Sequence, residues 1–406
     1  MNGKADYMVT AGKVTAQKLL FPFFLFLATI VHAQTTRYSL DFSLSKKNFA
    51  DTIAIEYTQG QVIVPVKVNG QQLRFMLDTG SGQAVIFSDT PINNCIRAGN
   101  INSHDATGHT RKVPVVKLPP IRLGSLTLTG CRATLQQRVV KGSNIDGILG
   151  FDLVNKGLCM KIDTRHKRLI LTDRKEFFDR EMGTDARYRL NFHVPYIEIT
   201  PFGRYTEHTL FDTGSRKLYV MNKQSFDRGY KKYPTEAEAQ VEGRSYGRHA
   251  LGHQGAEQAG EVVFLNLDRL MVGDFAFNHV HTVTTQGGSH LGAMILEYGS
   301  VVFNPHKKRI RFQPYNDHLQ ATVDNRQTEI AFVPQHGKPT IGLVWEKGEP
   351  CHLGFREGDI IEKIDGKPVT SMTMFVTWGF EKGRPYLFTV QDKQGKTKEI
   401  NWIRLK

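Results

Sequence analysis

The tetrapeptide Asp-Thr-Gly-Ser occurs twice in the sequence, and each copy directly follows a short apolar run. The first copy begins at Asp78, after residues 73–77, and the second at Asp212, after residues 209–211. Apolar runs of this kind predict buried strands, so each strand delivers a carboxylate close to the protein interior. The glycine that follows permits a sharp reversal of the backbone. Two such junctions predict a duplicated unit that supplies one carboxylate per copy.

Two carboxylates that face each other inside a protein have a specific chemistry. At a separation of about 3 Å they cannot both ionise, so they share one proton. The titration then belongs to the pair. One group acts as a base that activates a water molecule, and the other protonates a carbonyl oxygen or a leaving amine. The pattern therefore predicts direct hydrolysis of an amide, with no covalent intermediate, metal or cofactor.

The two motifs resemble the catalytic loops of aspartic peptidases of the pepsin and retropepsin clan. The resemblance covers about residues 60–315 and implies an all-β fold of two pseudo-symmetric lobes in one chain. In that family the Asp of each Asp-Thr-Gly is catalytic, which implies catalytic roles for Asp78 and Asp212. The residues implied to support the two catalytic loops are Thr79, Gly80, Ser81, Thr213, Gly214 and Ser215.

The repeat extends beyond the two motifs. Residues 148–150 (Ile-Leu-Gly) align with residues 290–292 (His-Leu-Gly), and Gly157 aligns with Gly299. In the family, an apolar-apolar-Gly segment in each lobe supports the catalytic loop, and His290 departs from that pattern. Many short strands with frequent turn signals also favour an all-β body.

Family members close a β-hairpin flap over the substrate. The candidate flap of the first lobe is the polar segment 100–110, with Thr107 and Gly108 at its tip, and segment 242–260 is its counterpart. A flap would exclude water and hold a polypeptide substrate extended. Ordinary surface loops are the alternative interpretation.

The N-terminus predicts export. Three lysines within residues 1–18 precede an apolar run over residues 19–30, and Ala33 ends a pattern typical of signal-peptide cleavage. We interpret residues 1–33 as a signal peptide, which predicts a periplasmic or extracellular protein. The run is short for a membrane span, so no transmembrane segment is expected in the mature chain. An uncleaved membrane anchor is the alternative.

Changes of pattern divide the rest of the chain. The expected segments are an N-terminal leader or edge strand (34–60), peptidase lobe 1 (61–180), peptidase lobe 2 (181–314), a polar linker (315–327) and a C-terminal domain (328–406). The sequence leaves open whether residues 34–60 form a pro-segment that is removed.

The C-terminal domain resembles a PDZ domain of the bacterial protease-associated kind. The resemblance rests on Gly354 and Gly358 around the Gly-Asp-Ile-Ile segment and on the turn at residues 365–366. It implies a small α+β domain that binds the C-terminus of a peptide as an added strand. The implied peptide-binding residues are Ile341, Gly342, Leu343 and Val344. A structural cap without a ligand is the alternative.

Other classes of site have weak support. The formal net charge is +14, but its two densest clusters, at residues 165–168 and 306–309, occupy matching places in the repeat and predict hairpin turns. No stacked aromatic pattern accompanies them, so no nucleic-acid partner is expected. His249 and His253 have no third ligand in view, so no metal site is expected. Cys95 and Cys131 could pair in an oxidising compartment, which the sequence leaves open.

Two functions compete at this point. The first is an aspartic endopeptidase with a PDZ module for peptide recognition or regulation. The alternative is a catalytically silent protein that holds peptides in a peptidase-like cleft and PDZ domain. The paired acids favour the enzyme, because a pure binder has no need for two costly buried carboxylates.

Overall fold

The computed structural model describes residues 37–105, 107–138, 144–252, 254–323 and 325–403. These residues lie in one compact unit that spans Gln34–Lys406. The predicted signal peptide, residues 1–33, lies outside the described residues. Within the described ranges, no helix is long and apolar enough to cross a membrane. Strands hold 52 % of the residues and helices 9 %, so the prediction of an all-β, two-lobed fold is confirmed.

The first lobe is one mixed β-sheet. The strands that precede the first helix are β1 (Ser43–Leu44), β2 (Ala50–Ala54), β3 (Glu56–Thr58), β4 (Gln61–Val68), β5 (Gln71–Leu77), β6 (Ala84–Phe87), β7 (Ile96–His104), β8 (Thr110–Lys117), β9 (Ile121–Leu123), β10 (Leu126–Thr129), β11 (Arg132–Gln136) and β12 (Gly147–Leu149). All except β2 join the sheet, in the order β1-β10-β9-β4-β5-β12-β6-β11-β8-β7 with β3 beside β4.

The strand pair that delivers the first motif follows from its sequence. Val62, Val64, Val66 and Val68 of β4 all face the main core, as their alternation predicts. The turn to β5 is Asn69-Gly70, where φ is 50° and 80°. Two consecutive residues with positive φ form a hairpin turn whose backbone twist matches the twist of the two strands that it connects. The opposite face is also covered, because Ile63 packs with Met76, Val85 and Ile148. The end of β5 is therefore buried on both faces.

The second lobe repeats this plan with insertions. Its elements, with those that connect the lobes, are α1 (Asp152–Asn155), β13 (Cys159–Asp163), β14 (Arg168–Thr172), β15 (Thr184–Asn191), β16 (Val194–Phe202), β17 (Tyr205–Asp212), β18 (Tyr219–Asn222), α2 (Lys223–Lys232), α3 (Pro234–Glu238), β19 (Val241–Gly247), β20 (Leu251–Gly252), β21 (Gly255–Ala256), β22 (Gly260–Val272), β23 (Phe275–Thr285), β24 (His290–Gly292), a 3₁₀ helix (Ala293–Glu297), β25 (Gly299–Asn304), β26 (Arg309–Pro314) and β27 (Gln320–Thr322).

Two features of the second lobe depart from the sequence interpretation. The predicted loop over residues 242–260 begins as strand β19, which pairs with β22. Helix α2 was not predicted. Its first turn is capped by the Asn222 side chain, which accepts a hydrogen bond from the backbone N–H of Ser225. It buries only a short stripe that includes Phe226 and Gly229.

Six strands at one end of a fourteen-stranded sheet join the lobes, in the order β15-β26-β25-β13-β14-β2. Strands β13 and β25 pair antiparallel at its centre, with Met160 opposite Phe303. Each half of this sheet carries one of the two basic clusters in a hairpin turn. The sheet thus has the two-fold pseudo-symmetry that the sequence repeat predicts.

The segment before β4 is part of the folded body. Strand β2 forms one edge of the sheet between the lobes, where it pairs with β14. Phe42, Phe49, Ile53 and Ile55 are buried in the main core. Removal of residues 34–60 as a pro-segment would expose these side chains and strip the sheet of an edge strand. All four cysteines are free, so the structure does not contain the disulfide between Cys95 and Cys131 that the sequence left open.

The C-terminal domain has its own sheet and core. Its elements are β28 (Ile330–Gln335), β29 (Lys338–Val344), α4 (Glu349–His352), β30 (Ile360–Ile364), β31 (Lys367–Pro368), α5 (Met372–Val376), β32 (Pro385–Gln391) and β33 (Thr397–Ile403). The sheet order is β28-β29-β30-β32-β33, with β31 beside β30. The predicted linker is attached to lobe 2, because β27 pairs with β23 and Val323 is buried.

Candidate active site

The two Asp-Thr-Gly-Ser loops lie at equivalent places in the two lobes. Strand β12 lies between β5 and β6, parallel to the first and antiparallel to the second. Strand β24 has the same relation to β17 and β18. The Asp78 backbone N–H donates to the Leu149 carbonyl at 2.9 Å. The segments predicted to support the loops, 148–150 and 290–292, therefore do so in both lobes, although His290 breaks the apolar pattern.

The structure brings Asp78 and Asp212 together. Each is 7 % exposed, and each accepts a hydrogen bond from the glycine two residues later, at 2.8 Å from Gly80 and 2.9 Å from Gly214. A Cβ added to Gly80 would lie 2.6 Å from an Asp212 oxygen, and one added to Gly214 would lie 2.6 Å from the Asp78 Cγ. The glycine of each loop therefore packs against the carboxyl group of the other. A side chain at either position would separate the two acids.

Reciprocal hydrogen bonds between the threonines lock the two loops together. The Thr79 N–H donates to Thr213 Oγ1 and the Thr213 N–H donates to Thr79 Oγ1, both at 3.0 Å. Each hydroxyl also donates across the lobes, from Thr79 to the Phe211 carbonyl at 2.6 Å and from Thr213 to the Leu77 carbonyl at 2.8 Å. Both threonines are fully buried. The carboxylates are thus held by a symmetric network that neither lobe can form alone.

The serines of the motifs hold the turns. The Ser81 hydroxyl donates to the Gln83 carbonyl at 2.8 Å. The backbone N–H groups of Ser81 and Ser215 each donate to the carbonyl of the preceding Asp in the motif, at 3.2 Å. These bonds support the loops that the acids occupy.

Burial raises the pKa of Asp78 well above its usual range. The charge of Asp212 and a hydrogen bond between the two side chains raise it further, against the opposing effect of the Gly80 and Ser81 N–H groups. A carboxyl pair in this setting keeps one proton to higher pH than a solvated carboxyl does.

A buried glutamate that was not predicted from the sequence supports the second loop from behind. Glu207 of β17 accepts hydrogen bonds from the Tyr219 hydroxyl at 2.5 Å, the Ser289 hydroxyl at 3.0 Å and the Ser225 hydroxyl. Burial, and then the charge of Glu207, raise the pKa of Tyr219 well above its ordinary value. The network fastens the strand that ends at Asp212. The sequence signal was weak, because β17 also carries polar residues at exposed positions.

The candidate flap is a β-hairpin of β7 and β8 that reaches lobe 2. Its tip is organised by Asp105, whose Oδ1 accepts from the Thr107 N–H, the Thr107 hydroxyl and the His109 N–H at 2.7 to 3.1 Å. The other oxygen accepts from the Gln254 N–H of lobe 2 at 2.9 Å. Thr107 is buried, whereas Gly108 has φ of 86° and open space around it. The contact with Gln254 of lobe 2 was not predicted from the sequence.

The predicted peptide-binding residues of the C-terminal domain face the interior. Ile341, Leu343 and Val344 are buried, and the Gly342 carbonyl accepts from the Arg248 N–H of lobe 2 at 2.7 Å. The segment is in contact with the second lobe.

One further acid near the first loop is buried. Asp152 accepts hydrogen bonds from the N–H groups of Ala84 at 3.3 Å and Leu153 at 3.1 Å. Burial raises the pKa of Asp152 to about 7, and those N–H groups oppose the shift. Within the described parts of the chain, no cluster of three His, Cys, Asp or Glu side chains could hold a metal ion.

The raised pKa of Asp152 predicts a stability that falls as pH rises. Between the ordinary carboxyl pKa and about 7, the folded state retains a proton that the unfolded state has lost, so the free energy of unfolding decreases with pH. A rise of this size in the pKa corresponds to about 4 kcal/mol in total. Asp152→Asn should flatten this slope in denaturant titrations between pH 4 and 8, while Asp41→Asn, at an exposed position, should not. An unchanged slope in Asp152→Asn would contradict the assignment.

Comparison with known proteins agrees with this geometry. The fold and the paired loops define a protein with a peptidase-like fold, and residues 64–153 match the family model for aspartyl proteases. No curated protein sequence matches the chain.

Solved structures similar to the chain include soybean basic 7S globulin (TM-score 0.39, 13 % identity), an aspartic proteinase from Irpex lacteus (0.42, 14 %) and lupine conglutin gamma, a basic 7S globulin from seeds (0.40, 14 %). They cover 65 %, 66 % and 66 % of this chain, and 94 %, 97 % and 96 % of their own.

Proposed function

We propose that the protein is an aspartic endopeptidase that hydrolyses peptide bonds with a water molecule activated between Asp78 and Asp212. The observation that carries the proposal is the packing of each carboxyl group against the glycine of the opposite loop. The pKa of Asp78, which burial and the neighbouring Asp212 raise, supports it. The ionised member removes a proton from the water as it attacks the peptide carbonyl. The protonated member donates its proton to the carbonyl oxygen, and a tetrahedral gem-diol forms. When the C–N bond breaks, the member that took the proton of the water passes it to the leaving amine, and a hydroxyl of the gem-diol returns a proton to the other member.

The surroundings of the pair support a polypeptide as the substrate. The acids lie between the lobes, and the flap hairpin spans from lobe 1 to Gln254 of lobe 2. The backbone of an extended polypeptide in such a cleft can form hydrogen bonds with the protein that align the peptide bond to be cleaved. Alignment of this kind holds the reacting carbonyl close to the water, which supplies much of the rate enhancement.

The proposal includes export and a role for the C-terminal domain. The N-terminal 33 residues have the sequence of a signal peptide, which supports a periplasmic or extracellular location. Residues 328–406 have PDZ-like sequence features, and we assign them a role in peptide recognition or regulation. Because Gly342 is engaged by lobe 2, a peptide that used segment 341–344 would compete with that contact.

Hydrolysis in ¹⁸O-labelled water tests the reaction. The wild-type protein, without its first 33 residues, is incubated with an unfolded polypeptide and the fragments are analysed by mass spectrometry. Direct attack by water predicts new C-termini that carry one ¹⁸O atom from a single turnover. Binding of the polypeptide with no new termini at any pH from acid to neutral would favour the silent peptide-binding protein instead.

A further inference from the structure

We infer that the C-terminal domain is a structural part of the substrate cleft, because it fixes the lobe 2 loop on which the flap closes. We name residues 248–257 the cleft loop; residue 253 is outside the described residues. The effect of the C-terminal domain on catalysis rests on the proposed function. The series of contacts from that domain to the flap does not depend on it.

The link begins with a close contact between two backbones. Strand β29 has a bulge where it pairs with β28, so the Gly342 carbonyl is free to accept from the Arg248 N–H at 2.7 Å. A Cβ on Gly247 would lie 2.2 Å from the Gly342 oxygen, and one on Gly342 would lie 2.4 Å from the Arg248 oxygen. Only glycine at both positions permits this approach. Lobe 2 and the C-terminal domain therefore each contribute a glycine that this backbone contact requires.

Side chains on either side of this contact strengthen it. Trp345 stacks on Phe264 of lobe 2 with ring centroids 5.8 Å apart, and Leu343 is fully buried in the same cluster. The Ser245 hydroxyl donates to the Val344 carbonyl at 2.9 Å. Strand β19, which leads into the cleft loop, is thus held by the C-terminal domain along its length.

The cleft loop is stiff enough to transmit this constraint. Glu257 is 1 % exposed, and its Oε1 accepts from the N–H groups of His249 and Ala250, both at 2.9 Å. Its Oε2 accepts from the Gln286 N–H at 2.8 Å. Strands β20 and β21 pair as a hairpin within the loop. A buried carboxylate with these partners fixes the loop between Arg248 and its tip.

The tip of the cleft loop holds the flap. The Gln254 N–H donates to Asp105 at 2.9 Å, and the Gln254 side-chain amide donates to the Ser103 carbonyl at 2.8 Å. Domain, loop and flap therefore form one continuous chain of contacts. Displacement of the C-terminal domain, for example by a peptide that competed for β29, would loosen the closed flap.

Amide hydrogen exchange on the full chain tests the link without any need for activity. In Trp345→Ala and in Gly247→Ala, we expect exchange to rise by about tenfold or more both at Arg248 and across the flap tip, residues 103–109, because an anchoring contact is lost. Ile403→Ala is the control, since Ile403 lies on β33 at the far edge of the same sheet. Faster exchange at Arg248 with an unchanged flap would overturn the inference, as would unchanged exchange at Arg248 in both variants.

A kinetic comparison separates this inference from the proposed function. If the wild type cleaves polypeptides, Trp345→Ala should raise KM more than it lowers kcat, because a loose flap weakens substrate binding while the acids stay in place. Absence of cleavage by the wild type would end the proposed function and leave the exchange result to decide the link.

Discussion

Replacement of Asp78 by Asn is expected to lower kcat on an unfolded polypeptide by about 10³-fold or more, since an amide supplies neither the base nor the acid of the pair. Asp212→Asn is expected to have the same effect, because the two side chains occupy equivalent places and each packs against the glycine of the other loop. The measurement is the initial rate of peptide-bond cleavage across acid to neutral pH. Asp89→Asn, at an exposed position, should retain wild-type activity.

The stability of these variants distinguishes lost chemistry from lost folding. The pKa of Asp78 is raised in the folded protein, so its charge opposes folding as pH rises above the ordinary carboxyl range. Asn carries no such cost, so Asp78→Asn should be at least as resistant to urea as the wild type at neutral pH. Full cleavage activity in either Asn variant would refute the proposed reaction. If Asp78→Asn were inactive because it had unfolded, the raised pKa that we assign to Asp78 in the folded protein would be refuted.

The raised pKa of Asp78 also predicts the shape of the pH profile of the wild type. The pair is competent while it holds one proton, so activity should persist above the pH at which a solvated carboxyl is ionised. It should then decline as pH rises through the raised pKa. The matching decline in Asp78 protonation can be followed by the carboxyl stretching band in infrared spectra, with the Asp78→Asn variant as the reference.

Local sequence patterns were sufficient to predict those strands and turns that are determined by interactions between residues close together in the chain. The alternating valines of β4, the Asn69-Gly70 turn and the apolar ends of β5 and β17 each fix their element through neighbours in the chain. The spacing of the two motifs, together with that of Gly157 and Gly299, then predicted two lobes related by pseudo-symmetry. The two acids could likewise be located in the fold from the sequence, because each directly follows a buried apolar strand.

Contacts between distant segments could not be predicted in this way. Strand β2 completes the sheet between the lobes through pairing with β14, more than 100 residues later, and its own sequence has no strong strand pattern. Asp105 meets Gln254 only once both lobes have folded, and Gly247 meets Gly342 only once the C-terminal domain has docked. Each of these contacts joins polar side chains or bare backbone, for which periodicity carries no signal.

The threonine network predicts the second large effect, on stability as well as activity. In Thr79→Val the side-chain shape is kept, but the Phe211 carbonyl and the Thr213 N–H, which the hydroxyl satisfies at 2.6 and 3.0 Å, lose their partner in a fully buried place. Each unsatisfied group costs about 1–3 kcal/mol, so the free energy of unfolding should fall by about 2–6 kcal/mol. Thr213→Val should match it, since its partners are the mirror set.

Thr79→Ser separates the hydroxyl from the methyl group. Serine keeps both hydrogen bonds and loses one buried methyl, so its cost should be about 1 kcal/mol. Because the network also sets the distance between the acids, Thr79→Val should lower kcat by about 10²-fold, the cost of a misplacement of about 1 Å. The double valine variant should lose less stability than the two single losses combined, because each single change already breaks bonds that the other threonine shares. Strict additivity of the two losses in urea denaturation would show that the two loops are held independently. In that case the surrounding sheets, and not the threonine network, would hold the two acids close together.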